Sequence, residues 1–224
     1  MSVKLPEYRV TAIIAGTTLP WNYNELVQGW IYDHLLKTPL GREVHSARYS
    51  LFNYSIIPLA PAADEKGCSS TVGCWMLRVA SANQQLLDLI EENLNKESNF
   101  TLNHIKMQVV QTLREHLSDF PIMSAQPILI FGNDDKFITP AHENFNPSVA
   151  ICLRNRWEYL FGTTMPPAEF SFVEKPKQKL IQYKGRNLLA FCGQARLNTK
   201  PIVLQFAQCV GLGRKPSCGF GMVM

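Results

Sequence analysis

The last fourteen residues, Gly211-Leu-Gly-Arg-Lys-Pro-Ser-Cys-Gly-Phe-Gly-Met-Val-Met224, hold the densest chemistry in the chain. Two glycine pairs, Gly211/Gly213 and Gly219/Gly221, flank a loop that carries Arg214, Lys215 and Ser217. Glycine accepts backbone angles closed to other residues and lets a second backbone or a ligand come close. Two cations between such pairs, with loop N–H groups beside them, point to a partner that carries phosphate. The plainer reading of the same spacing is a tight turn feeding a final strand. The familiar nucleotide loops do not fit. A Walker loop ends in Gly-Lys-Ser/Thr and opens a helix, and a dinucleotide fingerprint needs a strand before it and a helix after it. Here an amphipathic stretch precedes the loop and a short apolar end follows it.

Histidine moves protons near neutral pH, with an unperturbed pKa of about 6.5, and the chain has five. His34 falls in the apolar arc of a helical stretch, between Trp30 and Leu35 in projection, and reads as a packing residue. His104, His116 and His142 have no obvious basic neighbour and no motif. His45 lies past Pro39 and Gly41 in Arg42-Glu-Val-His-Ser-Ala-Arg48, which reads as a loop; such a histidine is either solvated or available for proton transfer. Tyr32 projects about 60° beyond Leu35, where its hydroxyl either meets solvent or phosphate or helps to cover the core. Arg48, and after it Arg42, are the nearest cations, because no lysine lies between Lys37 and Lys66.

The six cysteines are scattered, mostly in apolar surroundings, without the spacing of a zinc site, so they are expected to be reduced and no metal or cofactor is expected. No stretch approaches the roughly 18 apolar residues that span a membrane, and the amino end lacks a secretory apolar core, so a cytoplasmic protein without membrane contact is expected. Charge is unevenly placed. Residues 1–149 carry eleven Lys/Arg and fifteen Asp/Glu, a balance of −4, while residues 150–224 carry eleven and three, a balance of +8. A basic carboxy-terminal third is the footprint of a polyanion partner, or of a solvated face.

The elements that must position these residues are legible from periodicity. Strands are predicted at 8–14, 51–57, 74–79 and 105–112, with helices at 22–37 and from a Ser81 cap to about Lys96, giving the order βαββαβ. The remainder repeats it more weakly. It has a strand at 127–131, a helix from Pro147 capped by Asn146, and strands at 170–173 and 180–191, the latter bent or broken near Gly185. A helix opened by Asn198 or Thr199 and ended by Gly211, then a last strand at 220–223, complete the copy. Two split βαβ units make an α+β chain of tandem ferredoxin-like domains, residues 1–118 and 119–224, joined near 116–126.

Together, the glycine terminus, the helix before it, the basic strand pair from Phe170 to Phe191, the opening Leu19-Pro-Trp-Asn-Tyr-Asn-Glu-Leu-Val-Gln-Gly-Trp-Ile-Tyr32 and Arg48-Tyr-Ser-Leu-Phe-Asn-Tyr-Ser55 resemble the CRISPR repeat-processing endoribonucleases of the RAMP superfamily. The resemblance runs nearly end to end. It implies tandem ferredoxin-like domains and metal-free cutting of precursor CRISPR RNA within each repeat. A ribose 2′-hydroxyl would attack the phosphate, leaving a 2′,3′-cyclic phosphate and a 5′-hydroxyl. It implies His45 as the proton-transfer residue and Tyr32 as the family's helical tyrosine. Arg48 then stands where some members use lysine, and an always-protonated guanidinium is a poor acid.

Binding is expected to spread over more of the chain. Arg154 and Arg156 lie about 200° apart on a helix and cannot face one partner. Lys175, Lys177 and Lys179 would share one face of an extended segment, with Lys184 and Arg186 continuing the run around Gly185. These residues and Gly211, Gly213, Arg214, Lys215, Ser217, Gly219 and Gly221 form the expected RNA-binding set. Trp21, Tyr23 and Phe52 are candidates for base stacking, or core residues. A non-catalytic RNA-binding subunit of a CRISPR effector complex is the alternative reading. Association with other effector subunits and homodimerisation both stay open.

Overall fold

The computed structural model describes residues 3–16, 19, 23–59, 73–102, 104–132 and 136–224. The first sheet is antiparallel, in the order β2-β3-β1-β5-β4, from β1 (Tyr8–Gly16), β2 (Phe52–Pro58), β3 (Gly73–Ser81), β4 (Asn99–Leu102) and β5 (Ile105–His116). Its first four strands have the split βαβ arrangement, and the short β4, absent from the sequence reading, is an added edge paired to β5.

Helices α1 (Tyr23–Leu35) and α3 (Gln84–Lys96) cover one face. Val27, Trp30, Ile31 and Leu35 of α1 and Leu86, Leu87, Ile90 and Leu94 of α3 are buried on the spacing of one helical stripe, against Val10, Ala12 and Ile14. The cap of α3 is Asn83, whose side chain accepts the Leu86 N–H at 3.2 Å. Ser81, expected as the cap, ends β3 instead and uses its hydroxyl on the Leu51 carbonyl at 2.8 Å.

Pro39 and Gly41, read as the end of helical structure, begin a second helix, α2 (Pro39–Ser46). Thr38 caps it by accepting the Gly41 N–H at 3.0 Å, and proline suits the first helical position, where its missing donor costs nothing. Gly41 is required by contact, since a Cβ there would stand 1.8 Å from the Leu35 carbonyl oxygen. His45 therefore sits in the last turn of a helix, and the loop expected around it is corrected.

The second sheet has the order β6-β9-β7, from β6 (Ile122–Ile128), β7 (Ala168–Phe172) and β9 (Arg186–Thr199), with β8 (Lys177–Tyr183) also paired to β9. The segment expected to be bent or broken near Gly185 is broken there, into a hairpin of β8 and β9. Lys184 and Gly185 both have positive φ, 48° and 70°, the pair of angles that closes a tight two-residue turn. Helix α4 (Phe145–Phe161) starts two residues before the predicted Pro147, and α5 (Pro201–Val210) opens at Pro201 behind Lys200. The expected last strand is reduced to a bridge between Val223 and Ala125, with Met224 and Ser124 exchanging N–H···O bonds of 2.7 and 3.0 Å. No described helix is long and apolar enough to cross a membrane.

The polar face of the first sheet meets the second half. Asn53 donates to the carbonyls of Gln208 and Cys209 at 3.2 and 2.7 Å, satisfying oxygens that the end of α5 leaves open. Buried Arg9 donates to the Val223 carbonyl at 3.0 Å, and Glu115 lies 3.8 Å from Arg9 and 2.8 Å from Arg78. Burial pushes the Glu115 carboxyl up, but the Arg78 hydrogen bond and the Arg9 charge outweigh it and leave it below the usual range. Both faces of β1 are thus buried, one under helices and one under the carboxy-terminal residues.

Candidate functional site

Tyr32 leaves the flank of α1 half-buried and stands edge-on to the His45 ring, with centroids 5.0 Å apart and planes at 86°. It meets fully buried Phe52 at 5.6 Å. Burial raises the Tyr32 phenol, and a hydrogen bond with the Ser217 side chain works the other way. His45 is exposed beside it. Residues 32, 45 and 217 therefore form one row, drawn from two helices and the carboxy-terminal loop.

The loop is a framework. Leu212 donates its N–H to Gly221, Arg214 to Leu129 and Gly221 to Pro127, at 2.7, 2.8 and 2.9 Å. Buried Arg156 donates to the carbonyls of Gly211, at 3.0 Å, and of Gly213. Burial pulls Arg156 down to about 10, with Arg214 pressing the same way, so it stays charged at neutral pH. The expected RNA contact through Arg156 is corrected: its guanidinium is enclosed and committed to loop carbonyls, while Arg154 on the same helix is exposed.

The glycines are corrected in the same sense. All four have φ of 70–81° and are buried. A Cβ at Gly221 would lie 1.8 Å from the Leu212 oxygen, and one at Gly213 2.8 Å from Leu129 oxygen. The backbone that approaches so closely is the protein's own. What the loop presents outward is Arg214 and Lys215, exposed, and half-exposed Ser217, which begins the short 3₁₀ turn Pro216–Cys218 together with Pro216.

The β8–β9 hairpin leans on the first half. The Tyr183 phenol donates to Gln28 and the Lys184 N–H to Glu25, both on α1, and Gln28 in turn donates to Cys218 Sγ at 3.3 Å. Periodicity gave no sign of this clamp, since Glu25 and Gln28 look like ordinary polar positions of a helix. Lys177 and Lys179 lie on the hairpin face that also carries Ile181 and Tyr183, and both are exposed. Lys175, also exposed, lies outside the strand, in the connection between β7 and β8, so the expected extended segment does not run through all three lysines. The Lys184 ammonium lies over the ring of Tyr183, 5.7 Å from its centroid, and Arg186 is exposed.

Of the stacking candidates, Phe52 is fully buried, Tyr23 is half-buried against the core, and Trp21 lies outside the described residues. One exposed aromatic that the sequence did not single out is Tyr159 of α4, 5.3 Å edge-on from Tyr49, over which the Arg48 guanidinium lies at 5.5 Å.

Residues 117–224 match the family model of the CRISPR associated protein Cas6, C-terminal part. The second half is similar to a Cas6 C-terminal domain. Its glycine framework, α5 and basic hairpin all fall within that match. Solved structures extend the likeness, as a fold, to the first sheet. A structure described as an RAMP protein binding different RNA substrates is 18% identical, covering 96% of this chain and 98% of that one with a TM-score of 0.84. The product of a Cas6-related gene from Pyrococcus furiosus is 17% identical over 97% of both chains, with a TM-score of 0.81. A Cas6 product complex is 15% identical over 97% and 98%, with a TM-score of 0.72. No curated protein matches. The carboxy-terminal half thus matches the Cas6 C-terminal family model, and the whole chain shares its fold with solved RAMP and Cas6 proteins.

Proposed function

We propose that this chain is an endoribonuclease that cuts precursor CRISPR RNA within its repeats, without a metal ion, and keeps hold of the guide RNA it releases. The observation that carries the reading is the row of His45, Tyr32 and Ser217, in which an exposed imidazole is linked through one tyrosine to the loop that also carries Arg214 and Lys215. In the proposed reaction the 2′-oxygen forms a bond to phosphorus and the bond to the 5′-oxygen breaks. One proton leaves the 2′-hydroxyl and one reaches the departing 5′-oxygen. Imidazole suits either transfer, and Tyr32 sets the ring at the rim of the site.

The proposed division of labour follows the two halves. Residues 1–118 would carry His45 and Tyr32, and residues 119–224 most of the RNA grip. Arg154, Lys177, Lys179, Lys184, Arg186, Arg214 and Lys215 would meet phosphates, with Lys175 at the margin, and Arg48 would stand by the cut site.

The test is incubation of the purified protein in EDTA with repeat RNA, and with the same RNA carrying a 2′-deoxy sugar at the cut. A single cut that survives EDTA, yields a cyclic phosphate and vanishes with the deoxy substrate is expected. Tight binding without a cut would make the chain an RNA-binding subunit of an effector complex instead, and cutting that EDTA abolishes would overturn the metal-free step.

A further inference from the structure

The cleavage chemistry needs positive charge beside the phosphate at the cut, and no lysine lies between Lys37 and Lys66, the stretch that holds His45. Arg48, the obvious substitute, has its guanidinium over Tyr49, and Tyr49 meets Tyr159 of α4. That stack draws Arg48 to the seam between the halves. A different cation lies in the loop that meets Tyr32, 170 residues further along the chain than His45. Lys215 stands two residues before Ser217, whose hydroxyl holds the Tyr32 phenol.

The placement of Lys215 is firmly built. Its backbone has φ 54° and ψ 46°, a left-handed conformation uncommon for a residue with a side chain. Its carbonyl accepts the Cys218 N–H at 2.9 Å, Pro216 after it is buried, and Arg214 before it is tied to Leu129. Such conformations persist where the surroundings impose them, and they gather at functional sites. The side chain is nonetheless exposed. It is a compact charge on a four-carbon stem, free to meet a phosphate seated against His45.

We propose that Lys215 supplies the positive charge at the scissile phosphate, with Arg48 gripping a flanking nucleotide. The proposal rests on the cleavage reading above. Lys215 keeps its own proton throughout and stabilises the non-bridging oxygens as the phosphorus becomes five-coordinate. The active site is then composite: the imidazole comes from the first half and the ammonium from the second.

The experiment is single-turnover cleavage of repeat RNA at saturating protein by wild type, Lys215→Ala, Lys215→Asn, Lys215→Arg and Arg48→Ala. Affinity is measured in parallel on the uncleavable 2′-deoxy RNA. Lys215→Ala is expected to lower the saturated rate about 100-fold, with affinity changed only a few-fold. Asparagine tolerates the left-handed backbone, so Lys215→Asn keeps the fold and should show the same loss, while Lys215→Arg should recover most of the rate. Arg48→Ala is expected to act mainly on affinity. Lys215 variants that cut at the wild-type rate once saturated, or that lose only affinity, overturn the proposal while leaving the cleavage reading intact. A wild-type protein that binds without cutting overturns both.

Discussion

Arg156 on α4 donates to the carbonyl oxygen of Gly211, 55 residues further along the chain, and also to that of Gly213. A cation that looked like part of the RNA surface is instead the pin of the loop. Arg156→Met fills similar space but leaves two buried carbonyls without donors, at a cost of roughly 2–4 kcal/mol. Urea unfolding should show that loss. A variant as stable as wild type would mean that the carbonyls find other partners and that the loop does not depend on Arg156.

His45 faces solvent, so its removal should spare the fold. His45→Ala is expected to cut the cleavage rate by about 10² to 10⁴ with little change in affinity for RNA. Tyr32→Phe, which loses only the link to Ser217, should give a smaller loss and an altered pH–rate profile. Cleavage by His45→Ala at the wild-type rate would remove the imidazole from the mechanism.

Lys177 and Lys179 share one face of β8, and Lys175 lies before the strand begins. Neutralising the pair should flatten the salt dependence of RNA binding by about one unit of slope for each phosphate that the hairpin no longer neutralises. Neutralising Lys175 alone should do less. An unchanged slope for the pair would mark the hairpin as a solvated surface.

The glycines separate by what surrounds them. Gly221→Ala would drive a methyl group into the Leu212 carbonyl and should cost about 3 kcal/mol or more. Gly185→Ala has open space and only its φ of 70° against it, for about 1–2 kcal/mol. Equal costs in parallel melts would contradict close packing as the reason for Gly221.

Burial raises the Cys209 thiol to about 12, from an ordinary 9.0, with Arg9 pulling the other way. A folded state that keeps its proton longer than the unfolded chain has full benefit of that proton below pH 9. It loses the benefit as pH rises from there towards 12, by up to about 1.4 kcal/mol per unit. Cys209→Ala should flatten this part of the alkaline decline. Identical slopes for wild type and variant between pH 9 and 11 would show that the thiol does not titrate as burial requires.

Periodicity by itself determined the two βαββαβ-like halves, the core stripes of α1 and α3, and the basic bias of the last third, because each is a local pattern of side chains along one element. It misread the stretch around Pro39 and Gly41, where the same residues that break a helix also begin one, and only packing against Leu35 decides between them. The outward cations of the glycine loop were legible, but its glycines were not: their spacing signals close approach without saying to what. Tertiary structure alone supplied the partner, which is the protein's own backbone pinned by Arg156. It alone brought Ser217 to Tyr32 and the hairpin tip to Glu25 and Gln28. Those contacts join residues some 155 to 185 positions apart, and no short-range periodicity can encode a pairing that exists only once the two halves have folded against each other.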